Sequence, residues 1–410
     1  MVTSELARTG SGIEQILYAL PFLFQTLSDT PLKTVLLQML GDSGRMTFER
    51  YMELCLYHPE FGYYMQGRTR TGVEGDYFTS PDLHPIFARL VARQAAEMWE
   101  ILERPPRFTW VEMGAGRGLF AVDFLRWARQ SRSDFYDALD YRVVEPGPRQ
   151  LARVVDRVSR EFPGARFYAA DSLEKLDLVT GCFFSNELVD AFPVAVVARV
   201  AGRLKEIYVV AEGGQLQEKP GPLSDSAVAA AVARYANQLD EGHRVEVNRR
   251  AAQWMSSVSA KLARGFVLTI DYGDLAQYLY TSERPRGTLL SYRGHTASEK
   301  FYDSPGEQDL TAHVNFSALI DTGIEAGLSF TGFTTQERFL MALGEANEFA
   351  DLYDPGQTEA EKLQARLKLK RLIFPGEPES ARGMGNIFKV LVQHKAVGSP
   401  LLTGLGSARR

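Results

Sequence analysis

The stretch FTWVEMGAGRGLFAVDFLRWARQ, residues 108–130, decides the fold. It reads as a short strand, a glycine-rich turn and an amphipathic helix. Phe120, Phe124 and Trp127 fall on one helical face and Asp123, Arg126 and Gln130 on another, as suits a helix packed on a sheet. A turn of this kind presents backbone N–H groups at a helix N-terminus, where a polar or charged small molecule can sit.

Outward from this unit the pattern repeats. The double proline Pro105–Pro106 sets a boundary, because proline disfavours helix at the residue before it. Strands are expected at 108–113, 141–145, 166–169, 182–185 and 266–271, with helices at 118–130 and 148–161. Short apolar strands alternating with helices imply an α/β fold with a mostly parallel sheet covered on both faces. Residues 1–102 read as a helical cap ending in a long helix over 84–102, and 103–200 as the core. An insertion over 201–264 holds strands joined by Ala-Gly and Gly-Gly turns, then helices at 224–239 and 245–264. The core resumes over 265–335 with a polar loop and a helix at 316–326; a helical insertion covers 336–382, with charged helix expected over 336–372. A final strand lies in 383–397, at 386–395, and 398–410 is expected to be a loose tail.

Composition bounds the function. With 410 residues, 45% hydrophobic and 24% charged, the chain can bury a large core without staples. A net charge of -5 argues against a nucleic-acid binder. The two cysteines, Cys55 and Cys182, have no CxxC spacing, and no His–Cys–carboxylate cluster has metal-ligand spacing. The apolar run ILYALPFLF (16–24) lacks a basic lead and a cleavage pattern and is too short to span a bilayer; it suits packing on the protein or on a second subunit, which allows a homodimer. No integral membrane association is expected. Ala/Arg-rich composition without a targeting segment fits a bacterial cytoplasmic protein.

The glycines Gly114, Gly116 and Gly118 are spaced G-x-G-x-G, with Ala115 inside the turn. A dinucleotide fingerprint requires glycine at 119, which is Leu119, so a nicotinamide oxidoreductase is disfavoured. Glu112, two residues before the first glycine, completes a turn that resembles that of class I, Rossmann-like methyltransferases using S-adenosyl-L-methionine (SAM). That resemblance implies a ribose diol held by Glu145, at the end of the second strand, and an adenine amino group facing Asp171, after the third. Glu112 either touches the ligand or stabilises the turn.

FFSNELVDAFPV (183–194) follows the fourth strand. In an open α/β sheet, ligands gather at the carboxyl ends of strands near the topological switch, so Asn186, Glu187 and Asp190 should face the same crevice. This run, with GDYFTSPDLHPIFARL (75–90), VEMGAGRGLFAVDFLR (111–126), VLTIDYG (267–273), LLSYRGH (289–295) and DLTAHVNFSAL (309–319), resembles the MidA family of SAM-dependent methyltransferases. Its mitochondrial members methylate a protein arginine during assembly of respiratory complex I. Two departures stand out: Ala115 replaces the family's more usual proline, and His313 replaces an acidic or small residue.

The resemblance implies methyl transfer to an arginine of a partner protein. A guanidinium is a poor nucleophile until a proton leaves or its charge is localised. A carboxylate pair can grip and orient it. Glu187 is therefore expected to clamp the guanidinium, Asp190 to orient or deprotonate it, and Asp76 to be a third acid, with Asn186 on the cofactor's methionine part. For Asp190 the competing role is to cap a helix start. Thr79 and Ser80 flank a loop suited to a lid, or serve only turn geometry. Tyr272, Arg293, His295 and His313 are candidate substrate contacts, the histidines weaker ones. Competing functions are methylation of a small molecule or another side chain, and a SAM-binding assembly factor with little turnover.

Overall fold

The computed structural model describes residues 30–68, 71–72, 75–234, 239–374 and 384–406. The apolar run at 16–24 lies outside the described residues; the helix expected at 224–239 is observed at Ser226–Ala233, with 235–238 outside the described residues.

The central sheet is built from β1 (Phe108–Met113), β2 (Leu139–Val144), β3 (Phe167–Ala170), β4 (Val179–Asn186), β5 (Leu262–Asp274), β6 (Ser329–Thr335) and β7 (Phe388–Lys395). Their order is β6-β7-β5-β4-β1-β2-β3, and Val314–Asn315 adds a short strand on β5. The five strands from β5 to β3 are parallel, while β7 runs antiparallel to both β5 and β6. Chain order reverses between β1 and β4, so the crevice above their carboxyl ends is the expected ligand site. This α/β architecture, Rossmann-like with a mostly parallel sheet, is the expected one.

Both sheet faces are covered, because successive side chains on a strand point to opposite sides. Trp110, Phe184, Leu268 and Val390 join one core with Phe120 and Phe124 of the helix Leu119–Ser131. Val111, Phe183, Val267 and Leu391 join another with Met255 and Phe316. Ring centroids of Phe120 and Phe184 lie 4.5 Å apart, and those of Trp110 and Phe124 lie 4.8 Å apart. The helix expected at 148–161 is observed at Pro148–Glu161, with proline in its first turn.

A second, five-stranded sheet consists of Met46–Thr47, Ala195–Val200, Arg203–Glu212, Gln215–Gly221 and Arg244–Val247. The helices Pro31–Ser43 and Phe48–Tyr57 pack on it through Leu32, Leu36, Phe48 and Val209. Here one expectation fails. The helix read over 245–264 is a strand, Arg244–Val247, followed by a helix, Arg249–Lys261. Val245 and Val247 alternate with Glu246 and favour a pleated edge, and the Asn248 side chain accepts from Ala251 N at 2.9 Å to start the helix one turn later.

Three further segments differ. The polar loop after β5 folds into a three-stranded sheet of Leu290–Arg293, Thr296–Ser298 and Asp309–Thr311. The charged stretch at 336–372 is two helices, Gln336–Glu345 and Glu359–Ile373, parted by Glu348 and Phe349 at positive φ and restarted by a Thr358–Glu361 capping box. The tail is anchored as far as 406: Leu402 is fully buried, Thr403 N donates to Glu97 Oε2 at 3.0 Å, and Gly404 N donates to Gln94 Oε1 at 2.9 Å.

Candidate active site

A cavity of about 1110 Å³ opens at the switch point, bounded by the glycine turn, the ends of β2, β4 and β5, and the three-stranded sheet. The turn follows directly from β1. Gly114 N donates to Val144 O at 2.8 Å, which pins the turn to β2. Gly114 and Gly116 have φ of 75° and 52°, a region that favours glycine. A side chain on Gly114 would strike Leu188, whereas nothing lies within 4 Å of where one on Gly116 would begin. The bend at Gly116 therefore exposes backbone to the cavity.

Glu145 sits beside it. One carboxylate oxygen accepts from Gly116 N at 3.1 Å and the other from Gly147 N at 3.0 Å. Burial raises its pKa while these two N–H groups oppose the rise. Each oxygen keeps a second lone pair for a ligand hydroxyl. Glu112 lies beneath the turn, 4% exposed, accepting from the Tyr141 hydroxyl at 2.6 Å. Burial pushes its carboxyl up to about 8. Gly118 and Ala115 complete the turn, with Gly118 packed against Val154.

The turn after β4 carries the acids. Glu187 is held at φ 52°, a conformation uncommon for a residue with a side chain. Its N–H donates to Ile270 O at 3.0 Å, and its Oε1 accepts from Ser80 N at 3.1 Å and Asn186 Nδ2 at 2.9 Å. Burial, with Asp190 and Asp82 nearby, lifts its pKa to about 8. Asp190, 5% exposed, accepts from the Tyr272 hydroxyl through Oδ2, while its Oδ1 is buried without a partner. No helix begins at Asp190, so it does not cap one. Instead Asp271, at the end of β5, accepts from Leu188 N, Val189 N and Asp190 N at 3.1, 2.9 and 3.4 Å. The sequence reading passed over Asp271, although an acid ending the apolar run VLTI was a visible signal.

The remaining candidates divide. Asp76 lines the cavity, but its Oδ1 accepts from Gly294 N at 2.7 Å and its Oδ2 from the Tyr63 hydroxyl at 2.7 Å, so it ties two loops together. Thr79 donates to Asp82 from both its N–H and its hydroxyl, and Ser80 directs its hydroxyl to Gln336. Thr79 thus closes the turn, while Ser80 ties it to the helix Gln336–Glu345. His295 stacks on Phe78 with ring centroids 5.1 Å apart, and His313 meets Tyr272 edge-on at 5.5 Å. Burial, with Arg284 and Lys389 nearby, drops His313 to about 4, so it is neutral at pH 7. Arg293 is exposed and donates to Ser304. Asp171 stands apart from the others: it is exposed, outside the cavity lining and paired with Lys175 at 2.7 Å, four residues along. In its short exposed turn the nearer lysine captures the carboxylate.

Contacts unseen in the sequence complete the wall. Arg117, inside the glycine turn, forms an ion pair with Asp82, joining that turn to the Thr79 segment. Tyr57, Tyr64, Tyr77 and Tyr292 line the cavity with Asp309. Among the described residues there is no cluster of His, Cys, Asp and Glu able to hold a metal ion, and no helix is long and apolar enough to cross a membrane.

The residues fit a SAM-sized nucleoside. Gly116 leaves open space, Glu145 offers two acceptor oxygens, and Asn186 Oδ1 is buried without a partner where an amino group could donate. A solved structure of a COG1565 superfamily member from Burkholderia thailandensis, bound to S-adenosyl-homocysteine, is similar with a TM-score of 0.81 and 30% identity, covering 92% of this chain and 95% of that one. Protein arginine methyltransferase NDUFAF7, mitochondrial, of Danio rerio is 26% identical over 325 residues, 74% of each chain. The Mus musculus protein of that name is 25% identical over 337 residues, 77% of this chain and 74% of its own. The model of the S-adenosyl-L-methionine-dependent methyltransferase family that includes MidA-like proteins matches residues 90–334, more than half of the 410 residues. The chain belongs to that family and is a SAM-dependent methyltransferase.

Proposed function

We propose that the acceptor is an arginine side chain of a partner protein, a respiratory-complex subunit being the class to try first. The observation that carries this reading is the pair Glu187 and Asp190, buried in the cofactor cavity with, among the described residues, no basic side chain bonded to either. Bound SAM supplies an electrophilic methyl group there. Glu187 and Asp190 would hold the guanidinium between them, since paired carboxylates match its planar donors. Asp190, through its unpartnered Oδ1, would take the proton that the attacking nitrogen loses. Tyr272 would keep Asp190 oriented through its hydroxyl. The names of the Danio and Mus relatives agree with an arginine acceptor.

Incubating the protein and labelled SAM with candidate respiratory subunits, followed by mass spectrometry, tests this directly. Glu187→Gln should lower methyl transfer at least ~100-fold. The Gln Oε1 can still accept from Ser80 and Asn186, so SAM affinity should change less than about threefold. Methyl transfer surviving in Glu187→Gln would sink the assignment, and label on a side chain other than arginine would sink the acceptor.

A further inference from the structure

A third buried acid faces the cavity. Asp309 begins the strand Asp309–Thr311, is 2% exposed, and accepts from the Tyr64 hydroxyl at 2.8 Å. Ala312 N donates to Asp190 O at 3.1 Å, which ties this strand's end to the turn that carries Glu187 and Asp190. Among the described residues no Lys, Arg or His side chain forms an ion pair with Glu187, Asp190 or Asp309. A buried carboxylate without a cation is costly. The cost is recovered when a cation enters, and Asp190 Oδ1 is a buried acceptor waiting for a donor.

The walls around these acids are aromatic. Tyr292 lies opposite Asp309 in the antiparallel pairing. The Tyr57 and Tyr64 rings are 5.6 Å apart, and Tyr77 and Tyr292 are 6.4 Å apart. Tyr57 is fixed by its hydroxyl, which donates to Ala191 O at 3.1 Å. Ring faces attract cations, and a flat, weakly hydrated guanidinium can lie along them.

We propose that Asp309, with Tyr57, Tyr64, Tyr77 and Tyr292, forms a cation slot for the methyl acceptor, and that Asp309 is a specificity-determining residue selecting a positively charged side chain. This rests on the reading above only in taking the acceptor to be a cation. A neutral acceptor would leave all three acids without a cation.

The test uses full-length protein saturated with S-adenosyl-homocysteine. Nα-acetyl-arginine amide, Nα-acetyl-lysine amide and Nα-acetyl-citrulline amide are titrated by calorimetry or ligand-observed NMR. The arginine probe should bind at least ~10-fold tighter than its neutral citrulline analogue, and Asp309→Asn should weaken it by ~10- to 100-fold. S-adenosyl-homocysteine affinity should stay within about twofold in that variant. Unchanged arginine binding in Asp309→Asn overturns the proposal. Should that variant lose S-adenosyl-homocysteine binding, Tyr292→Leu decides: weaker arginine binding supports the slot, and unchanged binding overturns it. Binding of the lysine probe in place of arginine keeps the slot and sinks the arginine reading. Wild-type protein that binds neither cation removes the slot, while methyl transfer to a protein arginine stands or falls on its own mass spectrum.

Discussion

The two halves of the crevice are assembled differently. The cofactor half comes mainly from one continuous unit, β1, the glycine turn and the following helix, plus Glu145 and Asn186 at the ends of neighbouring strands. The acceptor half draws on the turn after β4, the end of β5, the helix Phe48–Tyr57 and the strand Asp309–Thr311, segments far apart in the sequence. The first half is set by local backbone geometry and the second by tertiary packing. They should therefore fail independently when perturbed.

The sharpest test of that independence is Asp190→Asn. Methyl transfer should fall by about 1000-fold, within the usual range for a group that moves a proton. S-adenosyl-homocysteine affinity should hold within about threefold by calorimetry. The mirror variant is Glu145→Ala, which removes two oxygens held by backbone N–H groups and facing the ligand. S-adenosyl-homocysteine should bind about 100-fold more weakly, corresponding to about 2.7 kcal/mol. If Asp190→Asn proves equally harmful to nucleoside binding, the two halves are one site and the comparison breaks.

Protons sharpen it further. Glu187 and Asp309 are both pushed up to about 8 by burial. Folding therefore favours their protonated forms, and that contribution is present below the ordinary carboxylate range and lost as pH rises through about 8. The melting temperature of ligand-free protein should fall between pH 5 and pH 9, and Glu187→Gln should flatten the decline. Methyl-transfer efficiency should move oppositely, rising as Glu187 ionises near pH 8. The smallest effect belongs to Asp171→Ala. Its carboxylate pairs with Lys175 on the exposed surface, so S-adenosyl-homocysteine affinity should change less than about twofold. A tenfold loss would return Asp171 to the cofactor.

The same division explains what could be read beforehand. β1 and the helix Pro148–Glu161 were legible to the residue, because apolar spacing and proline act locally. Glu145 was legible because it ends a strand beside the turn. Asp271 and Asp309 were present in quoted motifs, but their work depends on partners such as Val189 and Tyr64, which only the folded chain brings near. Asp76 was legible as a polar residue in a glycine-flanked loop and does line the cavity, but its ties to Tyr63 and Gly294 appear only in the folded chain. The strand Arg244–Val247 was hidden because a single Val-Glu-Val alternation is too short to outweigh the helix that follows.

Asp271 has a consequence for divergence within this architecture. By gripping three successive amides after Glu187, it moors the acid-bearing turn to the central sheet. The segment from 288 to 311 can then be remodelled for a new acceptor while Asp271 holds the Glu187 turn, so long as Ala312 N still reaches Asp190 O. A chimera exchanging only that segment with a relative of different acceptor preference should inherit the donor's choice while keeping the host's hold on the nucleoside.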